Sequence, residues 1–115
     1  MLCCSQAPAR FLLTDFVKHP SSCNALFERQ NDEVVNGAPA YLSDGGNWLC
    51  YDSGHKCWRI QPAKDKGTGI GYAHTSEGEH SAPWDALASW KEYDQNDEKW
   101  HDAPVRVEVL YTVTA

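Results

Sequence analysis

No apolar run in this chain approaches the roughly 20 residues that a membrane-spanning helix requires. Phe11-Leu12-Leu13 is the nearest candidate for a leader core, and Thr14-Asp15 ends it at once, so a secretory signal is not expected. A positive excess is also missing: ten Lys and Arg stand against 16 Asp and Glu, a net charge of −6. Coating of DNA or RNA needs the opposite balance, so a nucleic-acid partner is excluded. There is no Cys-x-x-Cys pair, no Gly-x-Ser-x-Gly elbow and no phosphate-cradling loop followed by a Lys. Gly67-x-Gly69-x-Gly71 is glycine-rich but opens no helix, and reads as a flexible loop. The five cysteines (Cys3, Cys4, Cys23, Cys50 and Cys57) are odd in number and match no small disulfide framework. That points to a reducing, cytoplasmic setting.

What the chain does have is flat aromatic side chains between turn residues. Five Trp, five Tyr and three Phe accompany eight Gly and six Pro in 115 residues. That length fits one domain. The mixture suits short strands better than helices. Charge is concentrated as well. Residues 71–104 hold eight acids and two bases, so this third of the chain carries the whole net charge. Such a stretch is a solvated face or a surface for a basic partner.

Turn dipeptides set the order of elements. Asn36-Gly37 tolerates positive φ at both positions. Asp44-Gly45-Gly46-Asn47 and Ser53-Gly54-His55 are further turns, and the segments between them, up to Trp48–Asp52 and Cys57–Gln61, read as strands. A turn centred on Gly54-His55 pairs Asp52 with Cys57. Side-chain alternation then places Leu49, Tyr51, Trp58 and Ile60 on a core face. Trp48, Cys50, Cys57 and Arg59 fall on the opposite one. Ile70–His74 and Ser89–Tyr93 read as further strands, with a polar acidic loop and one helical turn at Trp84–Leu87 between them. Val105, Val107, Val109 and Tyr111 alternate with Arg106, Glu108, Leu110 and Thr112, which marks a final strand. The spacing leaves no room for crossover helices. The expectation is a single all-β antiparallel domain over residues 24–113, a meander, small barrel or sandwich, preceded by a flexible N-terminal arm over residues 1–23.

Asn36-Gly37-x-Pro39-x-Tyr41, Trp48-Leu49-x-Tyr51-Asp52, Trp58-x-Ile60, Gly71-Tyr72-Ala73, Trp90 and Trp100 occur in this order. Together they resemble a small Trp-rich module that recurs in predicted proteins of algae, protists and marine invertebrates. The resemblance covers about two thirds of the chain and implies a β-rich, non-catalytic module. Met1-Leu2-Cys3-Cys4 resembles the palmitoylated start of neuromodulin. That implies acylation of Cys3 and Cys4, and two acyl chains would tether a cytoplasmic domain to a membrane. The basic residues that usually assist such contact are missing apart from Arg10.

Candidate chemistry is sparse. Cys50 and Cys57 with His55 between them form a weak zinc pattern, since the spacing is not that of a known four-ligand site. Asp94-x-Asn96-x-Glu98 opens like a calcium loop but lacks its Gly and distant Glu, and reads as an ordinary turn. Nothing selects one acid–base pair among 16 acids, so an enzyme is not expected and no cofactor is implied. Binding is the stronger case, because Trp presents apolar area at low entropy cost and stacks on sugars or peptides. Trp58 reads as core, and Trp84, after Ala82-Pro83, as exposed. The leading expectation is a module that contacts a protein partner through an aromatic and acidic surface of Trp84, Asp85, Trp100 and Asp102. A carbohydrate on the same residues is the alternative, and a small metal protein or enzyme comes third.

Overall fold

A computed structural model describes residues 7–77, 82–85 and 88–110. Nine strands are present among these residues: β1 (Arg10–Thr14), β2 (Ala25–Val35), β3 (Ala38–Ser43), β4 (Asn47–Asp52), β5 (Cys57–Pro62), β6 (Ala73–Thr75), β7 (Trp90–Asp94), β8 (Lys99–Ala103) and β9 (Arg106–Val109). A single-turn helix, α1 (Pro20–Cys23), follows β1. All the strands join one antiparallel sheet in the order β8-β7-β6-β5-β4-β3-β2-β1-β9. The all-β antiparallel expectation therefore holds, in the form of a curled sheet that makes a half-barrel.

Chain connectivity explains the curl. β8 and β9 are the two edges, yet only Pro104 and Val105 separate them in sequence. Flat, nine strands would hold their edges about 38 Å apart at ordinary strand spacing. The linker reaches at most about 11 Å. Only a strongly bent sheet brings the edges together at the Pro104 end.

Turn chemistry sets each hairpin. Asn36 and Gly37 have φ of 52° and 81°, the left-handed pair that a two-residue connection from Val35 to Ala38 requires. In the β4–β5 hairpin Asp52 lies opposite Cys57 and Leu49 opposite Ile60, which is the expected register. Phe11, Leu13, Phe27, Tyr41, Leu49, Trp58, Ile60 and Trp90 meet inside the curl as the core.

Several expectations need correction. The chain enters the sheet at Arg10, not at residue 24. Strand β1 lies between β2 and β9, and Phe11 and Leu13 are fully buried. The short apolar stretch supplies two inward side chains that fill this seam, so it is structural and no arm. Residues 15–24 then cross to the far side of the sheet. Main-chain N–H groups of Val17 and Lys18 donate to Glu92 Oε1 at 2.8 and 2.6 Å, and Phe16 packs edge-on against Trp90. Glu92 is only 2% exposed, and this double hydrogen bond is what its carboxylate gains in place of water. Asn24 braces the crossing by bonding both the N–H and the carbonyl of Phe16. Strand β6 begins at Ala73, so Ile70 and Gly71 precede it. Trp84 sits in a turn; Ala86 and Leu87, the rest of the expected helical turn, lie outside the described residues, as do Tyr111 and Thr112.

Candidate functional site

Alternation gives the sheet a second, outward face, and part of it is also buried. Residues 63–72 run as a strap over the outer side of β5. Gln61, 1% exposed, fastens it. Its Nε2 donates to the carbonyls of Thr68 and Ile70 at 3.2 and 2.7 Å, and its Oε1 accepts from Gly67 N–H at 2.9 Å. The strap needs glycine. A Cβ at Gly71 would lie 2.5 Å from the Ile60 carbonyl oxygen, closer than any side chain tolerates. Gly67-x-Gly69-x-Gly71 is thus a packed cover, where a flexible loop was expected. Lys66, in the strap, pairs with Glu33 at 3.0 Å and lies 3.6 Å above the Trp48 ring.

Beyond the strap the outer face opens into a cleft of about 430 Å³, lined by His55, Arg59, Gly69, His74, Glu77, Lys91 and Trp100. Register puts it there. Arg59 of β5 lies opposite His74 of β6, His74 opposite Lys91 of β7, and Lys91 opposite Asp102 of β8. These directly opposed residues share one face. Trp100, two residues before Asp102 on β8, joins the same face.

Asp52 organises the floor. Its Oδ1 accepts the N–H groups of Gly54 and His55 and thereby caps the β4–β5 turn. Its Oδ2 accepts His55 Nδ1 at 2.8 Å and Arg59 Nε and Nη2 at 3.3 and 3.1 Å. Burial pushes this carboxyl up, but the hydrogen bonds from His55 and Arg59 and the guanidinium charge outweigh it and hold it below the usual range. Arg59 is 3% exposed, and its Nη1 meets no acceptor among the described residues. His74 is buried with its Nδ1 2.6 Å from the Thr75 carbonyl. A carbonyl only accepts, so Nδ1 carries the proton. Burial, the largest cause, lowers the His74 pKa, which leaves a neutral ring with a lone pair on Nε2. Lys91 Nζ reaches Asp102 Oδ1 at 2.7 Å.

Trp100 forms one wall. Its ring meets His74 edge-on at 4.5 Å and Tyr93 at 5.2 Å, with the Arg59 guanidinium 6.0 Å from its centre. It remains 38% exposed. The site therefore offers a flat apolar surface, a free donor on Arg59, a free acceptor on His74 and the carboxyl group of Glu77.

Of the residues expected to bind, Trp100 and Asp102 stand together on the outer face. Trp84 does not join them. Its ring packs within 6.0 Å of those of Phe11, Tyr41 and Trp58, on the inner side of the sheet, so the expectation that it is exposed is corrected. Three neighbouring aromatic rings offer it more apolar contact than solvent does. Asp85 stays exposed next to it, away from the cleft. The four residues do not make one surface. Arg59, Glu77 and Lys91 were not anticipated, and His55 entered only through the zinc pattern. The hairpin pattern already pointed Arg59 outward, but the β6–β8 register that collects the others has no local signal.

The metal alternative gains nothing around Cys50 and Cys57. Both face outward, Cys50 beneath the strap at Gly67, and burial pushes each thiol up to about 11. His55 is engaged by Asp52. At the β7–β8 turn, ligand atoms of Asp94, Asp97 and His101 lie within 4.8 Å of one another. Lys18 Nζ already stands 3.3 Å from Asp94, and His101 Nε2 is 2.6 Å from Asp97. Asp94 also accepts the Asn96 N–H, as an ordinary turn would have it. Cys3 and Cys4 lie outside the described residues. Among the described residues no helix is long and apolar enough to cross a membrane. No protein-family model, curated protein or solved structure matches the chain.

Proposed function

We propose that this protein is a non-enzymatic binding module that takes a carbohydrate in the Trp100 cleft. One observation carries the reading: a half-open Trp ring stands beside both a free donor and a free acceptor. A sugar ring has apolar C–H faces that stack on an aromatic plane, and hydroxyls that both donate and accept. The cleft volume falls in the range of small-ligand sites, roughly 300–1,000 Å³. The protein-partner reading takes second place, because Trp84 is turned into the core. It keeps one observation in its favour. Strand β8 pairs only with β7 among the described strands, so a peptide could add to that edge and lay side chains on Trp100.

Tryptophan fluorescence across a panel of glycans separates the two readings, with Trp100→Ala as control. A saturable shift that the variant loses supports the sugar site. A silent panel, with an extended peptide instead protecting β8 amides from hydrogen exchange, replaces it with the peptide reading. Acylation of Cys3 and Cys4 would tether the module to a membrane. Cell fractionation of the Cys3→Ser, Cys4→Ser double variant tests this: an unchanged distribution refutes the tether.

A further inference from the structure

We infer that the Trp100 cleft selects uncharged sugars by their vicinal hydroxyls, with Glu77 as the specificity residue, and turns acidic sugars away; this rests on the carbohydrate reading above. The charges around the cleft are arranged for it. Arg59 and His55 share the carboxylate of Asp52, and Lys91 has that of Asp102. Each cation is therefore already answered. Asp52 is committed through both oxygens to four different donor groups and holds Arg59 through Nε and Nη2, so a ligand carboxylate is left the single N–H face of Nη1 and cannot form the two-pronged pair with the guanidinium. Glu77 is the one acid lining the cleft, and it has no ion pair among the described residues. Arg59 and Lys91 are matched by Asp52 and Asp102, and Glu77 adds an acid with no cation of its own, so an anionic ligand meets no surplus positive charge on these side chains.

A neutral diol fits the same groups. A carboxylate has two acceptor oxygens and takes two neighbouring hydroxyls side by side. Bonds to an ionised acceptor are also the stronger kind. Arg59 Nη1 donates to a third ligand oxygen and His74 Nε2 accepts from a fourth hydroxyl. Both side chains are more than nine-tenths buried and line the cleft, and neither nitrogen has a partner among the described residues. Trp100 carries the ring.

The test pairs each neutral sugar with its acidic counterpart. The methyl pyranosides of glucose, galactose and mannose are titrated against the wild-type protein, followed by tryptophan fluorescence, beside the methyl glycosides of glucuronic, galacturonic and mannuronic acid. At least one neutral glycoside is expected to saturate, with its uronate about ten-fold weaker or worse. Glu77→Gln should weaken the neutral sugar about ten-fold and bring the uronate within about three-fold of it. Glu77 is exposed in a turn, and an unchanged circular dichroism spectrum of the variant shows that its fold is intact. A uronate that binds as tightly as its neutral partner overturns the selectivity while leaving the carbohydrate reading in place. So does a Glu77→Gln variant with unchanged affinities. If no glycoside of either kind shifts the fluorescence, the carbohydrate reading falls and this inference with it.

Discussion

The two faces of strand β5 are buried by different chemistry. Trp58 and Ile60 point inward and are covered by aromatic and aliphatic neighbours. Cys57, Arg59 and Gln61 point outward and are equally hidden, but among polar groups: an ion pair to Asp52 holds Arg59, and hydrogen bonds from Gln61 hold the strap. Apolar burial is non-directional and accepts any neighbour of suitable volume. Polar burial works only when each donor finds its acceptor. The inner face therefore supplies bulk stability, and the outer face supplies a fixed arrangement of polar groups on which a cleft can be built.

The sharpest way to break the contrast is to empty the inner face. Trp58→Ala should cost about 3–5 kcal/mol through lost transfer energy and a cavity. Urea unfolding would show one cooperative transition moved to lower denaturant. Gly71→Ala attacks the outer face. The new methyl has no room against the Ile60 carbonyl, so the strap must lift, at a cost of about 1–3 kcal/mol. Gln61→Ala should cost about 1–2 kcal/mol, because the three strap groups it served can partly return to water. Both strap variants should let a thiol reagent reach Cys50 under native conditions. Trp58→Ala should expose it only in step with global unfolding. Equal labelling in all three variants would show that the strap is not a separate cover.

A smaller effect comes from pH. Stability rises with pH wherever the unfolded chain binds more protons than the folded one. His74 has its folded pKa lowered from 6.5, so the unfolded chain is protonated first. Stability therefore declines as pH falls through 6.5 and levels off below the folded value. Asp52 has its folded pKa lowered from 3.8. Its contribution is complete above that pH and is lost as pH falls further, through the folded value. A urea midpoint followed from pH 8 to pH 3 should show two separate declines. His74→Gln should remove the upper one and leave the lower.

Local signals were enough for the hairpins. Asn36-Gly37 sets its turn through the φ values it allows, and Asp52 meets Cys57 because four residues close that loop. The same alternation pointed Trp58 inward and Arg59 outward. Phe11-Leu12-Leu13 was harder to read. Three apolar residues before a polar pair carry too little periodicity to reveal a strand between β2 and β9, partners far away in the sequence. Trp84 failed for a related reason. Its acidic surroundings in sequence suggested solvent, and its surroundings in space are Phe11, Tyr41 and Trp58.

By itself, then, the sequence determined the all-β class, the turns and the faces of β4 and β5. Each of these depends on backbone preferences and a two-residue period that act over a few neighbours. The tertiary structure alone decided the curl, the strap and the cleft. Pro104 and Val105 bend the sheet because they join its two ends. Gln61 fastens the strap because Thr68 and Ile70 come back over it. Arg59, His74, Lys91 and Trp100 meet because four strands stack in register, and no local pattern encodes which residue of one strand will lie opposite which residue of the next.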